Sequence, residues 1–338
     1  MINYQSKFSH IYVEDQVKDL ALSKLVLKKF KNSEIIQIRH YKDVFNRSNQ
    51  DFQVQKRAMK LILAKKTGPL LYPATDMVQD YKNKNSFYNT PALNCLYNCE
   101  YCFLQGMYPS GHLVLFVNEN DFFIAINKQL LKLEDPTKPM IVSISYNTDL
   151  MAMENLFPII SRWIEFAKSK DNLIIEIRTK SALFNSLKNI PPSKNIILSW
   201  TLSPDVICKE FEKFTPSLDM RLKAVKSALD AGWDVRLCFD PILILDDWEK
   251  IYCLFIDQVM NKINYNKLRD LTLGVFRMNK DYFNRIKKSG LKSRLYYEHY
   301  ANNSGTITLE EDLKKAVIKT MKNKIIQYLP AEKVMIWD

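Results

Sequence analysis

Residues 140–146 read MIVSISY and residues 173–179 read LIIEIRT. Both are short, near-continuous apolar runs rich in β-branched residues. Between them, at about 151–168, apolar residues recur at helical spacing. A strand apolar along its whole length, an amphipathic helix and a second such strand together indicate a parallel sheet. The alternation continues in both directions. Three more strand-like runs follow at 195–203 (NIILSWTLS), 234–243 (DVRLCFDPIL) and 270–277 (DLTLGVFR). Helical patterns lie at about 119–133, 181–188, 217–231, 246–262 and 279–288. A strand leading into Cys95 makes the sixth. Six βα units are too few for a closed eightfold barrel, so the fold class read is α/β with a partial (β/α)6 barrel. Functional residues are then expected at the C-terminal ends of its strands.

The flanks differ from this core. Residues 1–87 read as an N-terminal, mainly helical α/β region. It holds an amphipathic helix over 14–31, a short strand at 35–38 and a basic helix over 52–66 closed by Thr67-Gly68-Pro69. The barrel is assigned to 88–290. A C-terminal extension, 291–338, carries a helix at about 308–328 and a short strand, Val334 to Trp337, and packs on the barrel.

The chain has 338 residues, 47% of them hydrophobic, enough for a sizeable core. No run of about 18 uncharged apolar residues offers a membrane span. The stretch Met1 to Lys7 lacks the apolar centre of a signal peptide, so the cytoplasm is the expected compartment. The formal net charge is +12. That suits a polyanion such as nucleic acid. It equally suits the composition of an AT-rich genome, rich in lysine, asparagine and isoleucine with only seven glycines.

Six cysteines occur, and three of them fall within eight residues: Cys95-Leu-Tyr-Asn-Cys99-Glu-Tyr-Cys102. A disulfide framework belongs in a secreted chain and spreads its cysteines more evenly. In a reducing compartment, the C-x3-C-x2-C cluster reads as metal ligands and the scattered Cys208, Cys238 and Cys253 as core residues. Thiolates suit zinc or an iron–sulfur cluster. A structural zinc site needs a fourth ligand, for which His112 is the nearest candidate. Three thiolates on a [4Fe–4S] cube leave one iron open to a substrate or cofactor.

The spacing is similar to the signature of the radical S-adenosylmethionine (SAM) superfamily. Beyond it, the chain resembles the spore photoproduct lyase family from about residue 10 to 255. The stretch that carries this is Cys95-x3-Cys99-Glu-Tyr101-Cys102-Phe-Leu-Gln105, where the family reads C-x3-C-x-Y-C-Y-L-Q. Weaker matches are Thr148-Asp149, Arg178-Thr179-Lys180, Ser199 to Ser203, and Phe239-Asp240-Pro241-Ile242. Each sits at a strand's C-terminal end. The resemblance implies a [4Fe–4S] cluster on Cys95, Cys99 and Cys102, and SAM as the second cofactor. It implies contacts to SAM from Thr148, Lys180, Ser199 or Thr201, and Asp240, with Tyr101 beside the cluster either relaying hydrogen or packing there. The activity implied is a carbon–carbon lyase. Reductive cleavage of SAM gives a 5′-deoxyadenosyl radical, which abstracts hydrogen from a thymine photoproduct in DNA and splits it to two thymines. The implied partners are the damaged DNA and an electron donor such as flavodoxin or ferredoxin. Lys56-Arg57-x2-Lys60, Lys65-Lys66 and Arg285 to Arg294 are basic enough to meet phosphates or simply to be solvated faces.

The sequence departs from the family at one chemically important place. The family carries a hydrogen-donating cysteine directly after the second strand. Here that position is Tyr146, in Ser145-Tyr146-Asn147-Thr148. Phe103 also replaces a family tyrosine, and the family's basic, aromatic-rich C-terminal segment has no clear counterpart. Either Tyr146 returns the hydrogen with Tyr101 as partner, or the product radical is quenched otherwise, or the chain acts on another nucleic-acid or peptide substrate.

Overall fold

The structure is a computed structural model that describes residues 8–75 and 83–337. The Met1 to Lys7 stretch lies outside the described residues. The chain forms two compact units. One comprises the chain up to Leu96 together with Met107–Ile177, the other Tyr97–Gly106 together with the chain from Arg178 onward. These bounds cut the sequence elsewhere than 1–87, 88–290 and 291–338. The first unit contains the N-terminal region and the early barrel strands, the second the later strands and the C-terminal segment.

The first unit holds β1 (His10–Glu14), β2 (Glu34–Ile38), β3 (Leu61–Ala64), β4 (Tyr72–Pro73), β5 (Ser86–Tyr88), β6 (Ala92–Leu93), β7 (Leu113–Phe116), β8 (Met140–Ser143) and most of β9 (Leu173–Thr179). One sheet runs β2-β1-β3-β7-β6, parallel except for the edge pair β6 and β7. Its centre corrects the helix read over 52–66. The helix covers only Phe52–Arg57, where the Asp51 carboxylate accepts from the Val54 amide at 2.9 Å. Leu61, Ile62, Leu63 and Ala64 then form β3, each with no exposed surface. A four-residue apolar run buried on both faces fits a central strand, and periodicity cannot separate it from a helix. The N-terminal region is therefore α/β with more strand than the reading allowed.

In the same unit β4 pairs antiparallel with β5, β5 parallel with β8, and β8 parallel with β9. The helix read at 151–168 is broken by Pro158 into Leu150–Met153 and Ile159–Lys168. The longer piece buries Ile159, Ile160, Trp163, Ile164 and Ala167 along one stripe. The first barrel strand, β5, ends seven residues before Cys95, and β6 between them pairs in the other sheet. Cys95 therefore does not emerge directly from a barrel strand.

The second unit holds β10 (Ile196–Thr201), β11 (Asp234–Ile242), β12 (Asp270–Val275) and β13 (Val334–Trp337), each parallel to the next. The terminal strand thus extends the parallel sheet beyond the six expected strands. The helices Leu218–Asp230, Trp248–Lys262 and Glu311–Ile325 stand near their expected places. Trp200 and Phe239 face helical segments, with rings 6.3 Å from Phe184 and 4.8 Å from Phe255. Successive residues of a strand alternate between faces. Ser199, Thr201, Arg236, Cys238, Asp240 and Thr272 therefore share the opposite, polar face. Cys238 belongs to that face.

Among the described residues, no helix is long and apolar enough to cross a membrane.

Candidate active site

The cysteine loop is held by its backbone. Asn98–Cys99 pairs antiparallel with Glu212–Lys213, and the Glu100 amide donates to the Phe211 carbonyl at 2.7 Å. The Cys99 carbonyl accepts from the Cys102 amide at 3.1 Å and from the Gln105 side-chain amide at 2.6 Å. Tyr296 Oη donates to the Glu100 carbonyl at 2.7 Å. In the first unit, the Lys56 ammonium donates to the Cys95 carbonyl, so this lysine is engaged with the loop and not with solvent. None of the cysteines forms a disulfide; Cys99 is buried, Cys95 and Cys102 half-buried. Among the described residues, no three His, Cys, Asp or Glu side chains are drawn together as a metal-holding group. His112 is buried, its Nδ1 accepts from the Lys60 amide at 3.3 Å, and burial and Lys60 push its pKa down to about 4. It is a neutral core histidine. The donor set that remains, three thiols within eight residues of one loop, fits an iron–sulfur cube in chemistry and number.

Behind the loop in the second unit lies a buried ionic network. Tyr101 Oη donates to Glu212, and Arg221 pairs with the same carboxylate. Ser203 Oγ donates to Glu212 at 3.1 Å. Arg221 also donates to Thr215 Oγ1 at 2.8 Å and to the Pro216 and Thr201 carbonyls at 3.0 and 3.3 Å. Burial alone raises a carboxyl pKa, but Arg221, Lys180 and the hydrogen bonds from Tyr101 and Arg221 hold Glu212 down to about 2. Burial and the Glu212 charge push the Tyr101 phenol well up, so it stays protonated as a donor. The Lys180 ammonium lies 5.4 Å from the centre of the Tyr101 ring. Lys180 is thus half-buried and tied to this network, not a solvated cation at a strand end.

A second charged cluster in the second unit gathers Arg178, Asp240 and Arg277. Arg178 Nη2 donates to Asp240 at 2.8 Å and its Nε to Thr201 Oγ1 at 3.3 Å. Arg277 contributes contacts to Asp240 at 3.1 and 3.3 Å, and its guanidinium lies 3.7 Å over the Trp337 ring. Burial opposes ionisation of Asp240, but the two arginines win and lower its pKa. Asp240 lies within β11 before a cis bond to Pro241 and caps no helix. Gly274 is required here, because a Cβ would come 2.8 Å from Arg277 Nη1 and 2.9 Å from Asp240 Oδ1. Gly274→Ala is expected to cost about 1–3 kcal/mol through overpacking, read as a shift in urea midpoint at constant slope.

Ser199 is fully buried on the polar face, opposite Arg236 in register.

In the first unit, the segment after β8 gathers buried polar atoms. Among the described residues, Thr148 Oγ1, Asn147 Oδ1, Ser145 Oγ and the side-chain Nδ2 and Oδ1 of Asn89 have no hydrogen-bond partner. Asn89 directly follows β5, and its amide donates to the Ser143 carbonyl at 3.1 Å. Asn147 Nδ2 donates to Thr90 Oγ1 at 3.0 Å. Asp149 is accounted for as a helix cap, accepting from the Ala152 amide at 3.0 Å. Each unsatisfied buried group costs about 1–3 kcal/mol, so such a concentration at two strand ends suits a polar ligand offering donors and acceptors. Thr148 is the sequence-read SAM contact among them. Tyr146 is half-buried in this segment.

The sequence reading did not single out Glu212, Arg221 or Arg277. Arg221 left a signal, since it falls on the apolar stripe of Leu218, Leu222 and Val225. Glu212 and Arg277 left none.

The spore photoproduct lyase family model matches residues 7–335. Spore photoproduct lyase from Bacillus subtilis is 22% identical over 337 residues, covering 96% of each chain. The Geobacillus enzyme of that name is 22% identical over 255 residues, covering 72% of this chain and 74% of its own. A solved spore photoproduct lyase mutant with dinucleoside spore photoproduct superposes with TM-score 0.83 at 18% identity, covering 98% of this chain and 99% of that one. Another, with bound AdoMet and the same photoproduct, gives 0.80 and covers 99% of both. That likeness shows the fold, an α/β chain with the curled parallel sheet of a partial barrel. With the family model matched over nearly its whole length, the chain belongs to the spore photoproduct lyase family.

Proposed function

We propose that the chain is a radical SAM lyase that splits the thymine photoproduct of DNA, a carbon–carbon bond cleavage. Cys95, Cys99 and Cys102 would hold a [4Fe–4S] cluster, with SAM as the second cofactor. Bound together, these groups supply a carbon-centred radical able to take one hydrogen atom from the lesion. The observation that carries the reading is the cysteine triplet at family spacing inside a whole-length family match.

The protein's own residues bind and orient. Lys180, held against Tyr101, neutralises the SAM carboxylate. Thr148 Oγ1, buried without a partner among the described residues, would accept from the SAM amine. Asp240, held by its two arginines, would accept from a ribose hydroxyl; a carboxylate offers about four acceptor positions, so two arginines leave room for one. Ser199 supports the same polar face. Tyr101 acts by position, because its hydroxyl is already committed to Glu212. Tyr146 replaces the family's cysteine and donates a hydrogen atom to the product. A charge of +12 suits the DNA. The electron comes from a flavodoxin or ferredoxin, and the work is cytoplasmic.

The test is anaerobic reconstitution. We expect about four irons per chain and SAM cleavage stimulated by photoproduct-bearing DNA but not by undamaged DNA. Tyr146 favours one second reading, a different substrate, for which SAM cleavage would respond to neither DNA.

A further inference from the structure

Tyr146 is the first of three tyrosines in contact. Its ring centre lies 4.8 Å from that of Tyr88, tilted by 47°. Tyr88, the last residue of β5, stacks on Tyr72 of the edge strand β4 at 5.1 Å and 19°. All three rings are half-buried and all belong to the first unit. Such centroid distances are those of rings in contact.

We infer that Tyr146, Tyr88 and Tyr72 form a relay that carries the unpaired electron from the repaired thymine to the edge of the sheet. The inference rests on the reading of Tyr146 as hydrogen donor and assigns what happens after it. The thymine methylene radical takes a hydrogen atom from Tyr146: one C–H bond forms, one O–H bond breaks, and a Tyr146 phenoxyl remains. That phenoxyl takes one electron and one proton from Tyr88, and Tyr88 takes the same from Tyr72. Tyr72 is restored by one electron from a low-potential one-electron donor, such as a reduced flavin or dithionite, and one proton from water. Each internal step exchanges one phenol for another, so none is steeply uphill. Burial raises the Tyr88 pKa, with a smaller contribution from Tyr72. The phenol therefore stays neutral, and its proton leaves with the electron. The hydrogen that reaches thymine comes from the relay, so the hydrogen removed from the lesion stays on 5′-deoxyadenosine.

The experiment uses reconstituted protein grown on ring-deuterated tyrosine, mixed with SAM, dithionite and dinucleoside spore photoproduct, then freeze-quenched for electron paramagnetic resonance. We expect a signal narrowed by the deuterium. Tyr88→Phe strands the radical on Tyr146 and slows its decay at least tenfold, and Tyr72→Phe slows it at a later step. Wild type releases one 5′-deoxyadenosine per lesion split. A tyrosyl signal whose decay neither variant changes would overturn the relay while leaving Tyr146 as donor. Absence of any tyrosyl signal in wild type and Tyr88→Phe, or a signal surviving in Tyr146→Phe, would overturn the donor reading itself. Several lesions split per 5′-deoxyadenosine would overturn the relay, since the hydrogen would then be returned.

Discussion

Arg221→Met lowers stability at neutral pH by about 3–5 kcal/mol, the cost typical of removing one partner from a buried ion pair. Arg221 and Glu212 are both fully buried side chains. Arg221 also spans Thr215, Pro216 and Thr201, so its loss leaves several acceptors short as well as one charge. The pH dependence gives the sign. Arg221 and Lys180 hold Glu212 down to about 2 in the folded chain, below the ordinary carboxyl value of about 4.5. A depressed carboxyl stabilises the fold above the unfolded pKa, and that stability is lost as pH falls from about 4.5 to about 2. At about 1.4 kcal/mol per pKa unit, this amounts to about 3 kcal/mol. In Arg221→Met, burial dominates, the Glu212 pKa rises, and this acid-side loss disappears. Urea unfolding at pH 7 and at steps from pH 5 down to pH 2 checks both effects. A midpoint moved by less than about 1 kcal/mol at pH 7, with an unchanged acid limb, would contradict the network.

Cys99→Ala abolishes cluster assembly and lesion splitting together, while the chain still folds. Cys99 is buried beside Tyr101 and Phe211, and its backbone pairs with Glu212 whatever the side chain. Removing one sulfur therefore removes a ligand and little packing. Cys208→Ala is the matched control. Burial, with Glu212 nearby, pushes the Cys208 thiol up to about 12, and its Sγ donates to the Ser203 carbonyl at 3.3 Å. A thiol that stays protonated is a poor ligand for iron. Iron content and absorbance after reconstitution are expected to fall to background in Cys99→Ala and to stay at wild-type level in Cys208→Ala. Full iron in Cys99→Ala would remove the triplet from the cluster.

The parallel strands were legible because long apolar runs leave few alternatives: 173–179 appears residue for residue as β9, and 234–243 as β11 less its last residue. The run at 61–64 was not, because four apolar residues after a basic helix fit either period. The same limit hid the terminal strand's partner, since nothing in Val334 to Trp337 names β12. For the site, spacing marked the three thiols as one ligand set, and the family resemblance singled out Lys180 and Asp240. Partners are another matter. Glu212 meets Tyr101 across 111 residues, and Arg277 meets Asp240 across 37. Such pairings come from the sheet's topology, and a single sequence carries no local trace of them. Even the direction of Cys238 needed the strand's register with Thr201.

The most direct test of the account is product formation. Reconstituted protein, SAM and dithionite are incubated anaerobically with dinucleoside spore photoproduct, and the thymidine released is measured by mass. The account predicts loss of photoproduct matched by two thymidines per lesion, falling to background in Cys99→Ala. Brisk SAM cleavage with the photoproduct undiminished would contradict it.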